Sequence, residues 1–129
     1  MLECENGSFY TGYTKNLTRR FRQHLDGTAN VKYTRSHKPI RIAQCWRLYE
    51  SVGCALKVEK LIKTAGRPVK EWLVREPDEL RQMASVRMDT DIPIFTNNPG
   101  EIENAARELA NDEVKTAPDP FASAGPVDL

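Results

Sequence analysis

Extended apolar segments on either side of a tight turn open the chain. Residues 2–13 contain Asn6-Gly7, which favours a two-residue hairpin turn, and the segment after the turn alternates through Phe9, Thr11 and Tyr13. Only residues 1–5 precede the turn, at or below the usual strand length of roughly 5 to 6 residues. The pattern therefore predicts a β-hairpin with a short first strand.

A helical spacing of apolar residues follows the hairpin, at Leu17, Phe21 and Leu25. Asn16 is a suitable N-cap and Gly27 a suitable stop, so we predict one short amphipathic helix. Residues 28–39, rich in Lys, Arg, Thr and Ser, are predicted to form an exposed basic loop. Residues 40–48 are predicted to form a buried strand.

Two more helices are predicted before Arg75. Ser51 can cap the first, which has an apolar stripe of Ala55, Val58 and Ile62. Gly66 ends it, and Pro68 suits the start of the second, whose contacts are Val69, Trp72 and Leu73. The order strand, strand, helix, strand, helix, helix predicts a mixed α/β module.

The chain beyond Arg75 is less dense in apolar residues. Short helices are predicted around residues 79–86 and 101–109. From Asn111 onward the chain contains several Pro and Gly and few large apolar side chains, so this last stretch is predicted to be disordered.

The total charge is near neutral, but the two parts of the chain have net charges of opposite sign. Residues 1–75 contain 15 Lys and Arg against 6 Asp and Glu, a net of +9, and residues 76–129 contain 4 against 12, a net of −8. We therefore divide the chain into a basic module, 1–75, suited to a polyanion, and an acidic extension, 76–129. Two ordinary solvated surfaces are the alternative interpretation.

Composition also indicates the cellular compartment and argues against some kinds of site. The sequence has no apolar run long enough to span a bilayer and no basic-then-apolar leader, so we expect a cytoplasmic protein. Cys4, Cys45 and Cys54 are an odd number without paired spacing, which argues against a disulfide framework or a zinc cluster. They are expected to be reduced and mostly buried.

Several polar residues occupy unusual positions in these elements. The first helix carries Arg19, Arg20, Arg22 and His24, and Arg20 and His24 are one turn apart on a face that can meet an anion. Glu59 falls nearly within the apolar stripe of the second helix, where a carboxylate is out of place.

Together these residues resemble the GIY-YIG nuclease domain, in particular its small stand-alone bacterial members. The resemblance spans roughly residues 1–73, and its motifs are Tyr10-Thr11-Gly12, Asn16-Leu17-x-x-Arg20, His24, Lys32-Tyr33-Thr34-Arg35 and Ala55-Leu56-x-x-Glu59-x-x-Ile62-Lys63. It implies a small three-stranded antiparallel sheet with flanking helices, and an endonuclease that hydrolyses phosphodiester bonds.

Phosphodiester cleavage needs an activated water, neutralisation of charge on the phosphoryl oxygens and help for the departing oxygen. The phenol of Tyr10, at the end of the second strand, can orient water or act as a base; the alternative is a tyrosine of the hairpin core. The guanidinium of Arg20 can hold two phosphate oxygens, and the resemblance makes it the family's catalytic arginine. An exposed solubilising charge is the alternative for Arg20 and our interpretation of Arg22.

Glu59 is the candidate ligand of a single Mg²⁺, because a hard oxygen ligand can hold a water-rich divalent ion, and the matching glutamate of the family does so. An ion pair with Arg20 or Lys63 is the alternative. His24 matches a position at which the family commonly has His or Tyr near the nucleophile, although a lone helical histidine is often a surface residue.

A set of basic and aromatic residues is predicted to follow the backbone of a nucleic-acid strand. Its members are Arg19, Lys32, Tyr33, Arg35, Lys38 and Arg41, of which Tyr33 can stack on a base.

The sequence departs from the family pattern at its first strand. Family members have a tyrosine-bearing strand before the turn, and here only Met1-Leu2 corresponds to its end. Either Met1 is an internal methionine of a longer product, which we favour, or the chain lacks one active-site phenol and most of a strand.

Our leading hypothesis is a Mg²⁺-dependent endonuclease acting on DNA, branched or single-stranded, with substrate preference and oligomeric state left open. One alternative is a catalytically impaired nucleic-acid-binding module. The other is a protein-interaction adaptor that acts through its acidic extension. We also expect the acidic extension to cover the basic face and suppress non-specific binding.

Overall fold

The computed structural model describes residues 1–28, 32–110 and 126–129. Its strands are β1 (Leu2–Cys4), β2 (Phe9–Tyr10), β3 (Pro39–Ile42), β4 (Trp46–Leu48), β5 (Ile94–Thr96) and β6 (Val127–Asp128). Its helices are α1 (Leu17–Asp26), α2 (Lys32–Ser36), α3 (Val52–Thr64), α4 (Arg67–Arg75), α5 (Glu79–Met88) and α6 (Pro99–Arg107). The predicted mixed fold, with small antiparallel sheets and flanking helices, is confirmed.

The predicted hairpin is present, but its second strand ends at Tyr10 instead of continuing to Tyr13, and residues 5–7 form its turn because the Cys4 amide donates to the Ser8 carbonyl. β1 and β2 are antiparallel with Leu2 opposite Tyr10, and Gly7 adopts a φ of 82°, which only glycine tolerates readily. β1 also pairs with β3, so the first sheet has the order β2-β1-β3. β1 spans three residues, which agrees with the expected shortening.

The predicted buried strand 40–48 is wrong in two respects. The chain breaks into β3 and β4, because the amides of Ala43 and Gln44 both donate to the carbonyl of Met1 and leave the regular ladder. Ile40 is also 54% exposed. β4 belongs to a second sheet of order β5-β4-β6, in which both pairings are antiparallel.

The predicted helices and caps agree with the structure. The Asn16 side chain accepts a hydrogen bond from the Arg19 amide, and Gly27 ends α1 in the left-handed region with a φ of 67°. Ser51 caps α3, Pro68 lies in the first turn of α4, and α5 and α6 correspond to the two later predictions. The loop prediction for 28–39 is wrong for Lys32–Ser36, which form α2; residues 29–31 lie outside the described part of the chain.

Two buried clusters hold these elements together. The smaller one packs α1 and the first sheet through Leu2, Leu17, Phe21, Ile42, Cys45 and Ala106. The larger one joins residues on both sides of Arg75, including Trp46, Leu48, Val58, Ile62, Leu73, Leu80, Ile94, Val127 and Leu129. The acidic half of the sequence therefore contributes directly to the core. The three cysteines are free, and Cys4 and Cys45 are buried, as expected.

The end of the chain departs from the disorder prediction. Residues 126–129 are ordered, and Val127, Asp128 and Leu129 are buried against β4. The rest of the predicted disordered stretch, 111–125, lies outside the described residues. Within the described ranges, every helix is too short or too polar to cross a bilayer.

Candidate active site

The ring of Tyr10 lies between two other aromatic side chains at the end of β2. It stacks nearly parallel on Tyr33, with ring centroids 5.6 Å apart, and meets the His24 ring at 5.3 Å and 60°. A side chain at Gly12 would put its Cβ 3.5 Å from the Tyr10 hydroxyl, so the glycine of the Tyr-x-Gly motif leaves room beside the phenol. Tyr10 is thus part of an aromatic group, and it also packs against the smaller core cluster.

His24 is buried, at 5% exposure, and is not the surface histidine considered as an alternative. Its Nδ1 lies 2.6 Å from the Thr34 hydroxyl, which joins α1 to α2. Burial and the neighbouring Arg20 guanidinium lower the pKa of His24 to about 4. The imidazole is therefore neutral at neutral pH.

Arg20 lies one turn before His24 on α1, and its positive charge disfavours protonation of the imidazole. Its Nη1 donates to Oε1 of Gln23, a buried residue of the same helix, at 3.1 Å. The structure therefore brings together three of the four predicted catalytic residues, Tyr10, Arg20 and His24.

A hydrogen-bond chain not predicted from the sequence orients Tyr33. The Tyr33 hydroxyl lies 2.6 Å from Oγ of Ser8, whose proton goes to Oδ1 of Asn6 at 2.6 Å, so Tyr33 is the donor. The Asn6 amide group in turn lies 3.1 Å from Nδ1 of His37. Because this chain connects the hairpin turn to α2 across 25 or more residues, local sequence patterns carry no signal for it.

The predicted nucleic-acid contacts are spread over several elements. Arg35, Lys38 and Arg41 are exposed, and Tyr33 is 39% exposed. Arg41 pairs with Glu3, and Arg19 is partly buried on α1. Lys32 begins α2, but its side chain is outside the described part of the structure.

Glu59 is 9% exposed on α3, and its Oε1 pairs with Lys63, one turn further on. The ion pair considered as an alternative is therefore present. Oε2 of Glu59 is buried and has no hydrogen-bond partner among the described residues. An unsatisfied hard oxygen fits a divalent cation. In the described ranges no group of three or more His, Cys, Asp or Glu side chains could share such an ion, so water and substrate would supply its other ligands.

Arg22 is not the exposed charge that we expected. Its Nε pairs with Asp26, and its Nη1 donates to the carbonyls of Ala106, Arg107 and Leu109 at 3.1 to 3.3 Å. Arg22 therefore binds the C-terminal end of α6, a contact over 84 residues that helix periodicity cannot predict.

Comparisons with known proteins identify the domain. The chain matches the GIY-YIG catalytic domain over residues 1–71. It is 36% identical over 88 residues to the UPF0213 protein of Fusobacterium nucleatum, covering 67% of this chain and 86% of the relative. It is also 48% identical over 63 residues to the UPF0213 protein of Cupriavidus necator, covering 49% of this chain and 66% of the relative. No solved structure matches the chain. With more than half of its length matched, and with the motif residues Tyr10, Arg20 and Glu59 inside that region, the chain belongs to the GIY-YIG family of nuclease domains.

Proposed function

We propose that this protein is a metal-dependent endonuclease that hydrolyses phosphodiester bonds in DNA, with the working surface in residues 1–75. The observation that carries the proposal is the group formed by Tyr10, His24 and Arg20, in which a phenol and a neutral imidazole are in contact beside a permanent cation. Packing does not explain why an arginine stands next to a buried histidine, because the arginine makes the protonated imidazole less favourable.

Each of the three side chains has a role that its surroundings support. Arg20 neutralises charge on the phosphoryl oxygens, because its guanidinium stays protonated throughout. Tyr10 orients the attacking water, with room beside its hydroxyl provided by Gly12. A neutral His24 can take up a proton released by that water, which an imidazolium cannot.

Glu59 is the residue that would hold a divalent cation. Such an ion supplies Lewis-acid stabilisation of charge on the phosphate when it is bound. The buried, unsatisfied Oε2 of Glu59 supports this assignment.

The exposed basic residues and Tyr33 would bind the nucleic-acid strand. Arg35 and Lys38 are exposed and would bind phosphates, and the exposed part of the Tyr33 ring would stack on a base. These contacts recognise charge and aromatic surface rather than base identity, so we expect a preference for strand structure, such as branched or single-stranded DNA, over sequence.

A cleavage assay tests the proposal. Labelled single-stranded, nicked, flapped and duplex DNAs are incubated with the protein and Mg²⁺ or EDTA. We expect metal-dependent products, and a loss of at least about 100-fold in rate for Tyr10→Phe, Arg20→Ala and Glu59→Gln. Tyr10→Phe removes only the hydroxyl and keeps the stacked ring.

Two matched variants serve as controls. Glu71→Gln also removes a helical carboxylate with a basic partner four residues away, but this pair is exposed, and Arg87→Ala removes an exposed helical arginine. Both should cleave as the parent does. Salt-sensitive binding without cleavage would instead favour a catalytically impaired nucleic-acid-binding module, consistent with the absence of tyrosine from β1.

A further inference from the structure

β6 and β1 lie along one line beside the same partner chain. β1 is antiparallel to β3, with Leu2 opposite Ile42, and β6 is antiparallel to β4, with Val127 opposite Leu48. Hydrogen bonds continue this pairing between the two strands, because the Ala43 and Gln44 amides donate to the Met1 carbonyl and Trp46 exchanges bonds with Leu129. β6 therefore lies ahead of β1 along the segment 39–48. Together they trace one interrupted strand.

β1 and β6 also have similar neighbours on the side away from β3 and β4. β1 has β2 as its second neighbour, with Leu2 opposite Tyr10. Asp128 has Thr14 as its second neighbour, and the two residues exchange both backbone hydrogen bonds, at 2.7 and 2.8 Å. β6 is therefore flanked on both sides, as β1 is, and holds the chain that leaves Tyr10 for α1.

The carboxylate of Asp128 connects this strand to the catalytic helix. It is 2% exposed and receives hydrogen bonds from Nε of Arg47 at 2.9 Å and from the Leu17 amide at 3.4 Å. Leu17 begins α1, whose first amides have no partners within the helix. A carboxylate is favourable at this end of a helix dipole. Asp128 thus binds the start of the helix that carries Arg20 and His24.

We propose that the C-terminal residues 127–129 extend the line of β1, the central strand of the first sheet, and that Asp128 is a positioning residue for α1. The registers define the gap between the two halves. Leu129 exchanges backbone hydrogen bonds with Trp46, and Ala43 donates to the carbonyl of Met1. Gln44 is also hydrogen-bonded to Met1, whose amino group donates to the Gln44 carbonyl at 2.8 Å. One residue, opposite Cys45, would therefore join Leu129 to Met1 over a Cα–Cα distance of about 7 Å.

Circular permutation tests this arrangement with every residue of the chain retained. Leu129 is joined to Met1 by a single Gly, and new ends are opened between Ala117 and Pro118. A second permutant has the same ends and a flexible linker of about ten residues. We expect the short-linker protein to melt at a temperature equal to or above that of the long-linker protein, because the shorter link costs less closure entropy. If the short-linker protein is unfolded while the long-linker protein folds, the proposal is wrong.

Hydrogen exchange tests which segment fills the line in the unpermuted protein. Stopping the chain after Pro126 should accelerate exchange of the Thr14, Leu17 and Trp46 amides at least about tenfold, because their acceptors are lost, while the amides that pair β1 with β2 change less. Unchanged exchange at all three would mean that another segment occupies this line, and would overturn the proposal.

Asp128 variants separate positioning from general stability. Asp128→Ala should accelerate exchange of the Leu17 amide, and Asp128→Asn, which keeps an acceptor oxygen, should restore part of the protection. Asp91→Ala is the matched control, since Asp91 also pairs with an arginine through two oxygens, but on the surface. Equal exchange at Leu17 in all three variants would exclude the positioning role.

Discussion

At the scale of single residues, the surroundings of His24 decide its protonation. His24 is buried against Tyr10 and Thr34 beside Arg20, whereas His37 lies near the surface and meets Asn6. Burial and Arg20 lower the pKa of His24 from 6.5 to about 4. At neutral pH the only fixed positive charge of the Arg20–His24 pair is therefore the guanidinium, which suits Arg20 as the phosphate-binding group.

This pKa makes stability depend on pH. Between pH 6.5 and about 4 the unfolded chain binds a proton at His24 that the folded protein does not bind, so the free energy of unfolding falls as the pH is lowered. The loss reaches at most about 3.5 kcal/mol, from about 1.4 kcal/mol per pKa unit. Urea titrations at a series of pH values should show that His24→Gln is less sensitive to acid than the parent over this range.

His37→Gln is the control for that measurement, because it removes the other histidine of the chain. It should retain the acid sensitivity of the parent. If the two variants have the same pH profile, His24 is not the group responsible.

The residues that sequence predicted best are those with local partners. The caps Asn16 and Ser51 and the stop at Gly27 act within one helical turn, so spacing alone locates them. The pairing of Arg20 with His24 follows in the same way from helical geometry. The stacking of Tyr33 on Tyr10 joins elements that are distant in sequence, and the Lys32-Tyr33-Thr34-Arg35 motif gives no indication of which ring Tyr33 meets.

At the scale of elements, α1 and α6 are joined by one side chain. Arg22 donates to the carbonyls of Ala106, Arg107 and Leu109, where α6 ends and no further helical turn supplies amides. Arg22→Ala should destabilise the fold by about 1 to 3 kcal/mol, since hydrogen bonds from a charged donor are lost at partly buried acceptors. Urea unfolding measures this change.

Two variants sharpen the test of this contact. Arg22→Lys should recover only part of the stability, because an ammonium cannot reproduce the planar fork of the guanidinium. Arg75→Ala, at an exposed position in the last turn of α4, should have little effect. An Arg22→Ala protein as stable as Arg75→Ala would contradict the capping role.

The elements that sequence analysis missed are all short and depend on distant partners. β5 and β6 contain three and two residues, too few for a recognisable alternation. The break between β3 and β4 arises because the Met1 carbonyl accepts from two successive amides, a feature of the partner strand. α2 has five residues in a basic segment without an apolar stripe. Helices long enough to show a period were predicted correctly.

At the scale of the whole molecule, the basic and acidic parts of the chain have opposite net charges but share one core cluster. Residues 1–75 and 76–129 have net charges of +9 and −8, yet both contribute to the larger core cluster. Leu80, Ala84, Ile94 and Val127 are buried there. Removing residues 76–129 would therefore expose the core, so the hypothesis that acidic residues shield the basic face needs a test that leaves the core intact.

Neutralising acidic residues in 111–125 provides that test. The triple variant Asp112→Asn, Glu113→Gln, Asp119→Asn changes the net charge from +1 to +4 without altering a described residue. If this segment competes with DNA for the basic face, affinity for a duplex at low ionic strength should rise by about three- to tenfold, and the gain should shrink as salt screens both interactions. Fluorescence anisotropy titrations at several salt concentrations measure the effect.

A second triple variant, Glu76→Gln, Asp89→Asn, Glu108→Gln, makes the same change in net charge at exposed positions held by the fold. If the 111–125 segment shields the basic face, DNA affinity should rise more in the first variant than in the second. The reason is that the second variant leaves the charges of the shielding segment unchanged. Equal gains would show that total charge alone governs DNA affinity, since long-range attraction does not depend on where a distant charge is attached. No gain in either variant would show that the acidic residues do not limit access of DNA to the site.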